Sequence, residues 1–441
     1  MDNRKERNMP ENALDRDMFR VDTIGECKID SPLKGTKVHF TSDEGLVLVD
    51  KHFSELSAHF KKTGKIPVFE EAGPREKIFH DPRWSKAAIL TAGGLCPGLN
   101  SVIKGLTMTL KQTYGVPLVY GIPYGYAGLN PACGYPPVVL DEAAVDNIHE
   151  QGGTILGSSR GAQDTDVMLE TLMRLDINML FCVGGDGTLR SAHELAEAAK
   201  RRSLNISIIG IPKTIDNDIC FMDRTFGFET AVYATNNVIT AAHNEAKGAM
   251  NGVGLIHVMG RDSGFIAAYA SLANTHINYC LVPEEKFNLR EGENALFPAL
   301  FERLKRRHHA VIIVAEGAGQ DLIPGERDLD KSGNVLNKNI GEFLKSEIKK
   351  YGRETGTEVN IKYFDPTYMI RGVPANGTDA VFCYLLAQNA VHAAFAGRTN
   401  MVIGHWADTF THVPISMAVR ERKKIDPEGT LWRSVKLNTW R

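Results

Sequence analysis

The sequence predicts an α/β protein, with two Rossmann-like α/β/α domains of mostly parallel sheet and an N-terminal extension. Three observations carry this. From Lys86 onward, short apolar runs end at glycine or a polar loop. Each is followed by a helical pattern, the signature of strand-loop-helix units. The chain, 441 residues long, exceeds one average domain, yet no long linker or low-complexity stretch divides these units.

In chain order, Ala87–Thr91 precedes GGLCPGLN and a helix through Leu110, and Met179–Val183 precedes GGDGT and a helix ending near Lys200. Ile206–Ile211 precedes PKTIDND, and Gly252–Val258 precedes MGRDSG and an alanine-rich helix. His309–Ala315 precedes EGAG, and a helix from Asn376 to about Phe395 leads to Met401–Gly404. Ligands of open α/β sheets sit beyond the carboxyl ends of the strands, so these loops are expected to converge on one crevice. Residues 1–84 carry no phosphate-type loop and are read as an extension, its charged opening expected to be mobile.

With 43% hydrophobic and 24% charged residues, the composition is that of a folded globular protein. A net charge of -2 offers no global attraction for nucleic acid or anionic membranes, so neither is an expected partner. No apolar run approaches the roughly 18 to 20 residues of a membrane span. Seven scattered cysteines without a CxxC pair point to reduced thiols and a cytoplasmic setting.

Gly93-Gly94-Leu95-Cys96-Pro97-Gly98 lets backbone approach an anion at a helix N-terminus, although by itself it is equally a tight turn. Gly184-Gly185-Asp186-Gly187-Thr188 places a carboxylate beside backbone donors, as a magnesium-bound polyphosphate requires. The bland reading makes Asp186 a helix cap, and GGDGT also occurs in NAD and lipid kinases. Lys213-Thr214-Ile215-Asp216-Asn217-Asp218 is either an Asx-rich turn or a loop supplying base, metal oxygen and donors for phosphoryl transfer. No HxxxH or HExxH spacing supports a histidine metal site.

Taken in order, LTAGGLCPGLN, GGDGT, PKTIDNDI, MGRDSGFIA, PEE and AEGAG resemble the 6-phosphofructokinase family over residues 85–405. The resemblance implies transfer of the terminal phosphoryl group of ATP to the 1-hydroxyl of fructose 6-phosphate. It makes Asp216 the general base and Thr214 a donor to the moving phosphoryl. Asp186 would hold Mg²⁺, with Asp218 in support. Gly94, Arg160, Gly161, Gly185, Asp186, Gly187 and Thr188 would contact ATP. Thr214, Ile215, Asp216, Met259, Gly260, Arg261, Glu316, Lys362, Tyr368, Met369, Ile370 and Arg371 would contact the sugar phosphate.

Donor choice turns on Gly187 and Lys213. Pyrophosphate-dependent members carry an aspartate where Gly187 leaves room for ATP, but share Lys213. Plant and trypanosomatid ATP-dependent members combine both features, and Gly252, Lys362 and Tyr368 depart from the bacterial allosteric type in the same direction. The alternatives are a pyrophosphate-dependent enzyme and a silent regulatory subunit. The resemblance further implies an ATP-binding domain over 85–228 with 371–441 returning to it, a sugar-phosphate domain over 229–370, and a homotetramer or homodimer.

Overall fold

The computed structural model describes residues 14–292, 295–326, 328 and 335–440; the charged opening expected to be mobile lies almost wholly outside them. The protein contains a ten-stranded sheet and a four-stranded sheet.

The centre of the large sheet is parallel: Leu118–Ile122, Lys86–Thr91, Met179–Gly184, Ser207–Pro212 and Met401–Trp406 are successive neighbours. These strands are apolar over most of their length because both faces are covered. Ala87, Ile89, Leu90, Phe181, Ile208 and Ile209 have no exposed surface. Beyond the centre, Thr409–Pro414 runs antiparallel to Met401–Trp406, and Ile66–Glu71 runs antiparallel to Thr409–Pro414. The segment read as an extension therefore supplies an integral strand, with Phe69 fully buried. Its short apolar run, Ile66 to Phe69, was masked by the charged pair Glu70 and Glu71.

The smaller sheet is wholly parallel, in the order Tyr279–Leu281, His309–Ala315, Gly252–Val258, Asn360–Phe364. Helix Phe228–Lys247 links the two sheets in sequence, and helix Gly377–Phe395 returns the chain to the large one. The expected return of 371–441 to the first unit continues through the hairpin to the short helix Ile415–Ala418, which packs against helix Asp186–Arg201. The last helix, Thr430–Asn438, turns to the smaller unit, where Trp432 donates to Glu285 and Trp440 meets Tyr279 edge-on at 5.2 Å. Burial of the Trp432 and Val435 face drives that crossing.

Strand-to-helix turns place the loops. Helix Leu99–Met108 starts at Gly98, whose φ of 102° is a left-handed conformation suited to glycine. The helix expected through Leu110 passes after Met108 into a wide turn, Thr109–Thr113. Asp186 opens helix Asp186–Arg201 directly after its strand.

Candidate active site

The loops at the carboxyl ends of both sheets meet. Lys213 leaves strand Ser207–Pro212 with its N–H donating to the Gly184 carbonyl at 3.0 Å, which ties the PKTIDND loop to GGDGT. Its ammonium donates to the Gly94 carbonyl at 2.8 Å, tying the same loop to the first glycine-rich turn. Burial pushes the Lys213 ammonium below its usual pKa. Arg160 lies over this junction: a Cβ on Gly94 would come within 3.8 Å of its guanidinium.

Within the acid-rich loop, the Thr214 hydroxyl donates to Asp218 Oδ1 at 2.6 Å, and the Asp216 N–H donates to Thr214 Oγ1 at 3.2 Å. The Thr225 hydroxyl fixes the loop by donating to the Thr214 carbonyl at 2.7 Å. Asn217 adopts φ 56°, which reverses the chain between the two aspartates. Asp216 Oδ1 is buried with no hydrogen-bond partner, while Oδ2 faces the Arg261 N–H at 3.5 Å. Burial, then the charges of Asp218 and Glu316, push the Asp216 carboxyl up to about 7.

Asp186 shares this space. One guanidinium, that of Arg422, lies 2.9 Å from Asp186 Oδ2 and 2.7 Å from Asp218 Oδ2. Burial raises the Asp186 carboxyl above the usual range even though Arg422 opposes the shift. Gly187, the next residue, is open: a Cβ there would meet nothing within 4 Å. Thr188 turns inward, 7% exposed, and its carbonyl accepts from the Tyr126 hydroxyl.

From the smaller sheet, Glu316 follows strand His309–Ala315, with its N–H donating to the Val258 carbonyl at 2.9 Å. Its Oε1 faces Asn337 Nδ2 at 3.4 Å. Gly317 packs so close to the MGR turn that a Cβ would lie 1.9 Å from the Arg261 carbonyl. Met259 is buried, and the Arg261 guanidinium donates to the Val335 carbonyl. Arg371 is near enough for its charge to act on both Asp216 and Lys213. Its neighbours differ: Ile370 packs into the core, whereas Tyr368 and Met369 project outward, 85% and 75% exposed. Lys362 is turned to Glu245, 3.7 Å away.

The sequence-predicted residues Gly94, Arg160, Asp186, Lys213, Thr214, Asp216, Asp218, Arg261, Glu316 and Arg371 thus gather at one place. Sequence reasoning missed Arg422. Its signal was the charge run Arg420-Glu421-Arg422-Lys423-Lys424, and such runs are ordinarily solvated.

Magnesium is normally held by one or two carboxylates together with substrate phosphates, without a complete protein cage. Asp186 and Asp218, drawn to one point by the Arg422 guanidinium, offer hard oxygens for such a partial cradle. Among the described residues no group of three or more His, Cys, Asp or Glu side chains could hold a metal unaided.

Two α/β units, one offering an aspartate at a helix start beside an acid-rich loop from the neighbouring strand, the other Arg261 and Glu316, define a loop-built site of the phosphoryl-transfer class. Residues 86–394 match the family model described as phosphofructokinase, and the chain belongs to that family. A protein of Borreliella burgdorferi named "ATP-dependent 6-phosphofructokinase" is 44% identical, with 96% of each chain covered. A Trypanosoma brucei brucei protein of the same name is 45% identical over 96% of this chain and 88% of its own. The fold resembles the pyrophosphate-dependent phosphofructokinase of Marinobacter aquaeolei, with TM-score 0.64, 21% identity, and coverage of 79% of this chain and 88% of that one.

Proposed function

We propose that this chain moves the terminal phosphoryl group of ATP onto the 1-hydroxyl of fructose 6-phosphate, yielding fructose 1,6-bisphosphate and ADP. The observation that carries this reading is the meeting of Asp186, Asp218 and the unpartnered, buried Asp216 Oδ1. Family membership and relatives named for the ATP-dependent reaction support it.

In this reading Asp216 accepts the proton of the sugar hydroxyl as its oxygen bonds to phosphorus and the bond to ADP breaks. A carboxyl held near 7 is matched to that task at neutral pH. Lys213 lies beside Asp216 as a donor, and the Thr214 hydroxyl, held by its 2.6 Å donation to Asp218 in the free protein, would turn to the moving phosphoryl. Bound with ATP, Mg²⁺ would supply charge neutralisation on the phosphates, with Asp186 as its protein ligand. The backbone from Gly185 to Thr188, Gly94 and Arg160 with Gly161 receive the nucleotide. Met259, Gly260, Arg261, Glu316 and the stretch Tyr368 to Arg371 receive the sugar phosphate, with Ile215 shaping the loop. The turn of Lys362 to Glu245 makes it the weakest member of that set.

The open space at Gly187 favours ATP over pyrophosphate as donor. Together with Lys213 it supports our reading of the chain as a member of the plant-like and trypanosomatid-like branch. Residues 85–228 would form the ATP-binding domain and 229–370 the sugar-phosphate domain. The chain would return from 371 through helix Ile415–Ala418 and leave its last helix on the second domain. Exposed Tyr368, Met369 and Val381 supply apolar surface for a homotetramer or homodimer. Among the described residues no helix is long and apolar enough to cross a membrane, and we assign the protein to the cytoplasm. Parallel assays of fructose 6-phosphate with ATP and with pyrophosphate test the reading; turnover with pyrophosphate alone refutes the donor assignment.

A further inference from the structure

Residues 420–425 form a fastened segment across the site. The Lys423 N–H donates to the Asp218 carbonyl at 2.8 Å, and its ammonium donates to the Met222 carbonyl at 2.7 Å and Asn217 Oδ1 at 3.1 Å. On the other side, the Ile425 N–H donates to Glu284 Oε1 at 2.9 Å. Glu284 also accepts from the Gly264 N–H at 3.0 Å, so one carboxylate anchors both this segment and the helix that follows the MGR turn. Ile425 is buried.

Thus fastened, the segment delivers Arg422 to two acids from separate loops. Its guanidinium engages Asp186 Oδ2 and Asp218 Oδ2, while the other oxygen of Asp218 takes the Thr214 hydroxyl. Both oxygens of Asp218 and one of Asp186 are therefore occupied. A divalent cation bonds to carboxylate oxygen at about 2.0–2.1 Å, too close for a guanidinium to keep the same lone pair. Two cations on one pair of acids also repel each other. Without either cation the acids would be buried and uncompensated, the costly arrangement.

We propose that Arg422 is a positioning residue that holds Asp186 and Asp218 together in the metal-free protein and competes with a divalent cation for them. The proposal rests on the phosphoryl-transfer reading of this site. It makes metal affinity of the free enzyme deliberately weak, so that the cation is taken up with the nucleotide phosphates that add ligands to it.

Mn²⁺ binding to the full-length, nucleotide-free chain, followed by electron paramagnetic resonance, tests this in the parent, Arg422→Gln, Arg422→Lys and Asp186→Asn. Arg422→Gln should bind Mn²⁺ about tenfold more tightly, as expected on loss of an adjacent unit charge. Arg422→Lys, which keeps the charge but loses the two-pronged geometry, should fall between, and Asp186→Asn should bind more weakly than the parent. Equal or weaker binding in Arg422→Gln overturns the proposal, as does unchanged binding in Asp186→Asn. Should Arg422→Gln fail to fold, Arg422→Lys decides: tighter than the parent supports competition, and equality refutes it. The measurement involves no sugar and no turnover, so its failure is separate from failure of the kinase reading, which the donor assays judge.

Discussion

Lys213 donates its ammonium to the carbonyl of Gly94 at 2.8 Å, joining two loops 119 residues apart in the chain. Both loops emerge from the large sheet, and the bond sets the gap into which a polyphosphate would fit. Lys213→Met should preserve much of the packing but release Gly94 and remove a positive charge. KM for ATP should rise about 10- to 100-fold, the range for losing a charge-assisted hydrogen bond, whereas KM for fructose 6-phosphate changes little. Equal changes in both constants would show that the link is only structural.

Asp216→Asn removes the proposed base while keeping size and shape. Turnover should fall by about 10²- to 10⁴-fold with both KM values near those of the parent. Turnover within a few-fold of the parent would falsify the assignment. In the parent, kcat/KM should decline as pH falls below about 7, because the carboxyl then holds its proton.

The same carboxyl makes a stability prediction. Its folded-state value of about 7 lies above the unfolded value of about 3.9. Between those pH values the native state binds a proton that the unfolded chain has lost, so this group's contribution to stability decreases as pH rises. Asp216→Asn should therefore raise Tm at pH 8 by a few degrees and change it little at pH 4. A uniform shift across pH would contradict the burial of this charge.

Gly187→Asp separates donor choice from folding. A Cβ there meets no atom within 4 Å, so Tm should stay within about 1 °C of the parent. Activity with ATP should drop at least about 100-fold through clash and repulsion at the phosphates. Unaltered ATP kinetics would remove Gly187 from the donor site.

Gly317→Ala tests the seating of Arg261. The added methyl would lie 1.9 Å from the Arg261 carbonyl and 3.1 Å from that of Gly260, so the MGR turn must move. kcat/KM for fructose 6-phosphate should fall about 100-fold, with a smaller effect on KM for ATP. A dominant effect on ATP would place this turn on the wrong substrate.

Periodicity located the sheet centre well: the expected strand Gly252–Val258 is the observed one, and His309–Ala315 likewise. Fully buried parallel strands are continuous apolar runs, and glycine marks their ends. Ile66–Glu71 escaped because its charged residues find partners remote in sequence: Arg398 donates to Glu70 at 2.5 Å. Asp186, Asp216 and Glu316 were legible because their loops follow legible strands. Arg422 was not, since its position depends on backbone hydrogen bonds to the loop at Asp218 and a side-chain anchor at Glu284. Exposure of Tyr368 beside burial of Ile370 likewise depends on how helix Thr367–Arg371 sits, which residue spacing does not encode.

The strand Ile66–Glu71 has a consequence for biosynthesis. Its hydrogen-bonding edge is completed by Thr409–Pro414, and Glu70 and Arg398, which pair in the finished protein, are 328 positions apart. At ribosomal speeds of about 5–20 residues per second, that edge waits on the order of tens of seconds for its neighbour. A nascent chain in this interval presents Phe69 and unsatisfied amides to solvent, and early chaperone capture of this stretch would keep it from pairing with another copy.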